Sequence, residues 1–315
     1  MFRERTPARV LAVALSVLSL LAAVLLMSAA PASARVDPTK DTPYLPTKCG
    51  GGTGALMPQN RGVCPLKSFH SNWPTVLVWG DSHAWEFTPA LRKLTAGRNV
   101  NLVAFTRGGC PPMEAANRNA KSGYSCVRSN NDALDYVEKL SRSGQTLQII
   151  LAANWVTYRD AWIREDTGQP QPPDQEPYVA KMAVLAEYGI PRLMGTLGAM
   201  PHVRTDVVSS VLRVPSDAAP CSQGENPYSC DIPRAKAIPD EADTKNWLEN
   251  EMGSLKPSAR LIDVNSHFCD GVLFRVCHAM IDPDESVHTF YDDLHISATA
   301  SRQLTGFFAK SIPAS

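Results

Sequence analysis

The chain has 315 residues, with 31 Lys plus Arg balanced by 31 Asp plus Glu, and 7 His. A formally neutral surface lacks the clustered cations that phosphate backbones require, so nucleic acid is excluded as an expected partner. The length suits one large α/β domain with additions, or a domain plus a short arm.

Arg3, Arg5 and Arg9 open the chain, and an apolar run from Val10 to Met27, interrupted only by two serines, follows. Ala32-Ser33-Ala34 then supplies the small-x-small pattern of a signal-peptidase site. Residues 1–34 are therefore expected to be a signal peptide. An uncleaved anchor over residues 10–27 is the alternative, because the run is near the lower limit for crossing a bilayer. Taking three Arg and one Glu from 31 and 31 leaves 28 and 30, a mature net charge of −2. The mature chain is expected on the extracytoplasmic side, secreted or held in the periplasm or cell wall.

All eight cysteines lie beyond residue 34, and an even count in an exported chain argues for disulfides. Eight cysteines allow 105 pairings. Four short spacings favour local ones: Cys49–Cys64, Cys110–Cys126, Cys221–Cys230 and Cys269–Cys277. The spacings form no CxxC knuckle and the histidines are scattered, so neither a metal nor any cofactor is expected. His70, His202, His267, His278 and His288 have no partner pattern.

Residues 35–73 are rich in Pro, Gly, Thr and Asn and read as an N-terminal arm pinned by Cys49 and Cys64. The Gly50–Gly54 run lacks the Lys-Ser/Thr of a phosphate loop and is read as an ordinary loop. From residue 74 strand and helix signals alternate. Thr75–Trp79, Val100–Phe105, Leu147–Ala152, Pro191–Leu197 and Ala259–Val264 are predicted strands. Helical spacing falls on Ala90–Leu94, 129–142, Tyr178–Tyr188, Lys245–Leu255 and Ala298–Ile312. Residues 201–240 are polar and proline-bearing, and are predicted to be an insertion outside the sheet. The alternation predicts a three-layer α/β/α sandwich with a mainly parallel five-stranded sheet over residues 74–315. Ligands of such sheets bind beyond the carboxyl ends of the strands. Distinctive polar residues follow the first three strands there: Asp81-Ser82, Arg107-Gly108-Gly109 and Asn154.

A serine hydroxyl needs a base to take its proton and donors to hold an oxyanion. Ser82, at the turn from the first strand into a helix, can expose its Oγ, and Gly80 gives the turn room. Far along the chain, Asp292-Asp293-Leu294-His295 places an Asp three positions before a His, ahead of the last helix. That spacing can set a carboxylate against one imidazole nitrogen and leave the other for Ser82. Asp293 is the rival to Asp292. Ser297 is a plausible N-cap for the final helix, a structural role compatible with the catalytic one.

These residues resemble the SGNH (GDSL-like) hydrolase superfamily, with its flavodoxin-like fold. More narrowly they resemble the extracytoplasmic SGNH domain that accompanies bacterial membrane acyltransferases modifying envelope polysaccharides. The matching pieces are Val78-Trp79-Gly80-Asp81-Ser82-His83-Ala84, Gly108-Gly109-Cys110-Pro111-Pro112, Phe268-Cys269-Asp270-Gly271 with Cys277, and Tyr291–Ser297. The resemblance implies Ser82 as nucleophile and N–H donor, His295 as base and Asp292 as its orienter. It further implies an oxyanion hole completed by the Gly109 N–H and an Asn side chain, for which Asn154 is the candidate. The family's Gly-x-Asn-Asp block reads Ala152-Ala153-Asn154-Trp155 in this chain. His83 and Trp155 are candidate substrate contacts, with a packing role as the alternative for each.

The expected activity is a serine-dependent O-acyl esterase acting on short, acetyl-like esters of an envelope glycan or glycolipid. An O-acyltransferase drawing acyl groups from a separate membrane acyltransferase is the second reading. A non-catalytic carbohydrate-binding module and a long-chain lipase are the others. The chain is expected to be monomeric.

Overall fold

The computed structural model describes residues 38–314, apart from 53–54, 59–61, 115–124, 161–188, 216–230, 271–274 and 282–286. The predicted signal segment, the Tyr178–Tyr188 helix and the Cys221–Cys230 pair lie outside the described residues.

Three strands of near-continuous apolar sequence form the centre: β2 (Thr75–Gly80), β3 (Asn101–Thr106) and β4 (Leu147–Ala152), each buried at every position. Such runs suit parallel strands covered on both faces. β1 (Cys64–Pro65), β5 (Val203–Val208) and β7 (Leu261–Ile262) complete a sheet of order β1-β3-β2-β4-β5-β7. All its pairings are parallel except β1 with β3. The sheet thus has six strands where five were predicted. The sixth is a two-residue antiparallel edge donated by the N-terminal arm, too short to show a period. A disulfide ties Cys64, in that edge strand, to Cys49.

Alternate side chains of the strands feed two cores. Val76, Val78, Leu102, Ala104 and Ile150 face one side, where Leu91, Ala300, Leu304 and Phe308 cover them. Leu77, Trp79, Val103, Phe105 and Ile149 face the other, against Leu134, Val137, Leu193 and Leu248. Helices Thr88–Thr95 and Ala298–Gln303 lie on the first side; Ser125–Arg142 and Glu241–Glu251 lie on the second. This is the three-layer α/β/α sandwich.

Two predictions are corrected. Residues 189–199 are a helix, not the strand predicted over Pro191–Leu197. Ile190, Leu193, Met194 and Leu197 are its buried residues, a spacing of three, one and three that closes one helical face. The fourth parallel strand is instead β5, so residues 201–240 are not wholly an insertion. Arg204 and Asp206 interrupt its apolar run and disguise it. Asp206 is buried but accepts from the Arg260 guanidinium at 2.7 Å, the Arg260 N–H at 3.0 Å and Ser311 Oγ at 2.7 Å, so its charge is compensated.

Beyond the sheet, β6 (Ile232–Pro233) pairs with β8 (Val276–Cys277), and β9 (Met280–Ile281) with β10 (Val287–His288). Disulfides join Cys110 to Cys126 and Cys269 to Cys277, so three of the four predicted local pairs are formed among the described residues. No helix of the described residues is long and apolar enough to cross a membrane.

Candidate active site

The chain runs from β2 to β3 on one side, then back past β2 to β4 on the other. Such a reversal opens a crevice at the carboxyl edge, the usual ligand site of these sheets. Register sharpens the point: Gly80 lies opposite Thr106 of β3 and Ala152 of β4. Strands that end abreast put their next residues side by side, so Asp81-Ser82, Arg107–Gly109 and Ala153-Asn154 share one edge. Gly80 has φ +156°, and a Cβ there would overlap the Ala152 carbonyl oxygen. Only glycine lets β2 and β4 approach this closely where the turn leaves the sheet.

Asp81 holds the turn. It is buried and N-caps the four-residue helix Ser82–Trp85, accepting from the His83 N–H at 2.8 Å. Its other oxygen accepts from the Asn154 N–H and from Tyr158 Oη, both at 2.9 Å. One carboxylate therefore fixes the Ser82 turn against Asn154, two residues past β4. Ser82 keeps partial exposure at the head of the helix. Gly109 lies exposed in the turn after β3 with φ +66°, a conformation that favours glycine. The Arg107 N–H donates to the Gly80 carbonyl at 3.0 Å and locks that turn to β2.

The second segment, Tyr291–His295, is a loop closed by a bridge between Phe290 and Ile296. Asp292 Oδ1 accepts from the N–H groups of Leu294 at 2.9 Å and His295 at 2.7 Å, an Asx-type turn. The same carboxylate meets His295 Nδ1 at 2.9–3.0 Å. Burial pushes the Asp292 carboxyl up, but hydrogen bonds from His295 and the two backbone N–H groups outweigh it and hold it below the usual range. Of the two aspartates, Asp292 faces His295; Asp293 is exposed and its carbonyl accepts from the Val214 N–H at 2.8 Å. Tyr291 stacks on His295 with ring centroids 5.5 Å apart and planes 10° from parallel. His295 Nε2 is buried and has no hydrogen-bond partner among the described residues. Ser297 N-caps the following helix, its Oγ accepting from the Ala300 N–H at 3.0 Å.

The two segments meet through His83 and through Glu86, a side chain the sequence did not single out. The His83 ring lies 5.0 Å from the His295 ring. Glu86 is buried one turn after Ser82. It takes His83 Nδ1 at 3.2 Å on one oxygen and the Ile296 N–H at 3.0 Å on the other. Burial opposes a charged His83, yet Glu86, Asp81 and Asp292 raise its pKa to about 9. The only trace of Glu86 in the sequence is a carboxylate inside the apolar stretch Ala84-Trp85-Glu86-Phe87.

Two candidate substrate contacts are relocated. Trp155 is fully buried, donates from Nε1 to the Val208 carbonyl at 2.6 Å and packs edge-on against Trp247, so it has no face for a sugar. His83 is 3 % exposed and engaged with Glu86 and His295, beneath the surface rather than on it. Among the described residues no group of three or more His, Cys, Asp or Glu is arranged to hold a metal ion.

A doubly wound sheet with a serine turn at its strand reversal and an Asp–His pair brought against that turn defines a class of α/β proteins. Within it, the family described as "SGNH domain (fused to AT3 domains)" matches residues 48–310, and the chain belongs to that family. Among solved structures it is similar to the periplasmic domain of a lipopolysaccharide acetyltransferase from Salmonella ser. Paratyphi A. The identity is 14%, covering 76% of this chain and 84% of that one, with a TM-score of 0.47. It is also similar to a carbohydrate esterase family 2 enzyme with a carbohydrate-binding domain from Corynascus thermopiles (Myceliophthora fergusii). There the identity is 11%, covering 78% and 67% of the two chains, with a TM-score of 0.39. No curated protein matches.

Proposed function

We propose that the chain is an exported serine-dependent O-acyl esterase acting on short acyl esters of a cell-envelope glycan or glycolipid. The observation that carries this reading is the state of His295. Its Nδ1 is engaged by Asp292, while its Nε2 is buried and unclaimed among the described residues, in a loop packed against the turn that bears Ser82. Asp292 would fix the tautomer, leaving Nε2 to take the Ser82 proton as Oγ bonds to the ester carbonyl carbon. The carbonyl oxygen, now an oxyanion, would be held by the N–H groups of Ser82 and Gly109 and by Asn154. Collapse expels the sugar hydroxyl, which receives the proton from His295, and leaves an acyl-serine. Water, activated by the same histidine, then releases the acid and restores Ser82.

Transfer is the second reading, favoured by membership of a family described as fused to AT3 domains. A sugar hydroxyl would replace water in the last step, and a separate membrane acyltransferase would supply the acyl group. The two outcomes differ only in whether water is excluded while the acceptor binds.

Incubating the protein with p-nitrophenyl acetate and p-nitrophenyl palmitate, beside Ser82→Ala, tests the proposal. Acetate turnover that disappears in Ser82→Ala is expected. Preference for palmitate would overturn the short-acyl assignment. No Ser82-dependent turnover of either ester would favour a donor-requiring transferase or a binding module.

A further inference from the structure

Between the two segments of the site lies a buried acid–base pair that the reaction sketched above does not use. Glu86 is 1% exposed and His83 3%, a costly place for two ionisable groups unless each is fully engaged. Both oxygens of Glu86 are committed, one to the His83 ring and one to the backbone of Ile296, the residue immediately after His295. Glu86 and Ile296 are 210 residues apart in sequence. A second contact between the segments is the His83 ring against the His295 ring. His295 is thus bordered by Tyr291 and His83, with its chain held by a carboxylate anchored on the Ser82 helix.

We propose that Glu86 and His83 are positioning residues that set His295 at its working distance from Ser82. The inference rests on the Ser82–His295–Asp292 reading. Asp292 orients the imidazole, but it belongs to the same loop as His295 and cannot place that loop relative to the nucleophile. Glu86 can, because it departs from the helix that Ser82 begins. It occupies position i+4 from Ser82, so its carboxylate and the serine share one helix face. The His83 ring stands 5.0 Å from the His295 ring, tilted by 39°, and limits its shift toward the helix. Neither residue exchanges a proton with substrate in this assignment.

A displaced base lowers the rate of the chemical step more than it lowers substrate affinity, and an error of about 1 Å costs on the order of 10²-fold. Glu86→Ala is therefore expected to reduce kcat on p-nitrophenyl acetate by about 10²-fold, with KM within about twofold. Glu86→Gln keeps an oxygen for the Ile296 N–H and is expected to restore kcat to within about fivefold of wild type. A second readout does not depend on turnover: the downfield Nδ1–H proton of His295, seen by NMR when it is held against Asp292. It should persist in the wild type and Glu86→Gln, and broaden or vanish in Glu86→Ala. Unchanged kcat and an unchanged His295 proton in a folded Glu86→Ala would overturn the proposal. If the wild type proves inactive on the ester, the catalytic reading fails on its own, and the NMR signal still decides whether Glu86 positions His295. Should Glu86→Ala not fold, His83→Gln takes its place. A loss there against retention in Glu86→Gln is expected, and equal behaviour of the two would overturn the brace.

Discussion

Gly80–Glu86 leaves a strand buried between two others, while Tyr291–Ser297 leaves no strand of the main sheet. The first segment inherits its position from topology. Register with β3 and β4, the close approach at Gly80 and the Asp81 cap place Ser82 before any partner arrives. The second is positioned by side chains and one backbone bridge: the Asx-type turn of Asp292, the Phe290–Ile296 bridge and the reach of Glu86. A site assembled this way should fail differently on its two sides. Damage to the strand end at Gly80 should be felt as lost fold, and damage to the Asp292–His295 pair as lost rate.

The sharpest break of that contrast is at Asp292. Asp292→Asn keeps an Oδ1 for the Leu294 and His295 N–H groups but loses the carboxylate opposite His295 Nδ1. We expect kcat/KM on a Ser82-dependent ester to fall about 10³-fold or more, with the unfolding midpoint little changed. A large stability loss with the rate intact would reverse the roles assigned to the two sides.

Gly80→Ala is the matching change in the first segment. Its Cβ would collide with the Ala152 carbonyl between central strands, where neither backbone can yield. Chemical denaturation should show a loss of about 3 kcal/mol, or no folded protein at all. Near-wild-type stability would mean the β2–β4 approach is softer than it looks.

Ser297→Ala probes a smaller element of the second segment. Its hydroxyl caps the helix through the Ala300 N–H and donates to the His288 carbonyl at 2.7 Å. Removing it should cost about 1 kcal/mol and leave the rate within about twofold. A rate loss exceeding the stability loss would make the helix cap part of the site's alignment.

The last test is in pH. The folded pKa of His83 is raised to about 9, above its ordinary value. Its contribution is therefore fully present below about pH 6.5 and lost as pH rises through about 9. Asp292, held below the usual carboxylate range, acts oppositely: its contribution is present above the ordinary carboxylate pKa and fades as pH falls through the folded one. Urea midpoints measured between pH 6 and 9.5 should decline in the wild type and flatten in Glu86→Gln. Parallel curves would detach His83 from Glu86.

Much of this arrangement was readable from residues alone. The buried runs Thr75–Gly80, Asn101–Thr106 and Leu147–Ala152 advertise parallel strands because their burial leaves no polar face. The polar residues that follow them mark the carboxyl edge where the candidate site lies. The Asp-x-x-His spacing is local, so the pairing of Asp292 with His295 is legible in the sequence itself. The misreadings share a cause. The helix of residues 189–199 and strand β5 were exchanged because short apolar stretches do not reveal their period when Pro191 and Gly195 punctuate one and a charged pair interrupts the other.

Sequence by itself therefore determined what is local or periodic: the fold class, the candidate nucleophile turn, the Asp–His loop and the short disulfide loops. Tertiary structure decided what depends on groups far apart in the chain. It chose Asp292 over Asp293 by the direction of one turn. It took Trp155 out of the site by burying it against Trp247, and compensated Asp206 with Arg260 and Ser311. It also joined Glu86 to Ile296 across 210 residues. Such contacts have no period and no fixed spacing, because they arise only when the sheet brings distant segments to one edge.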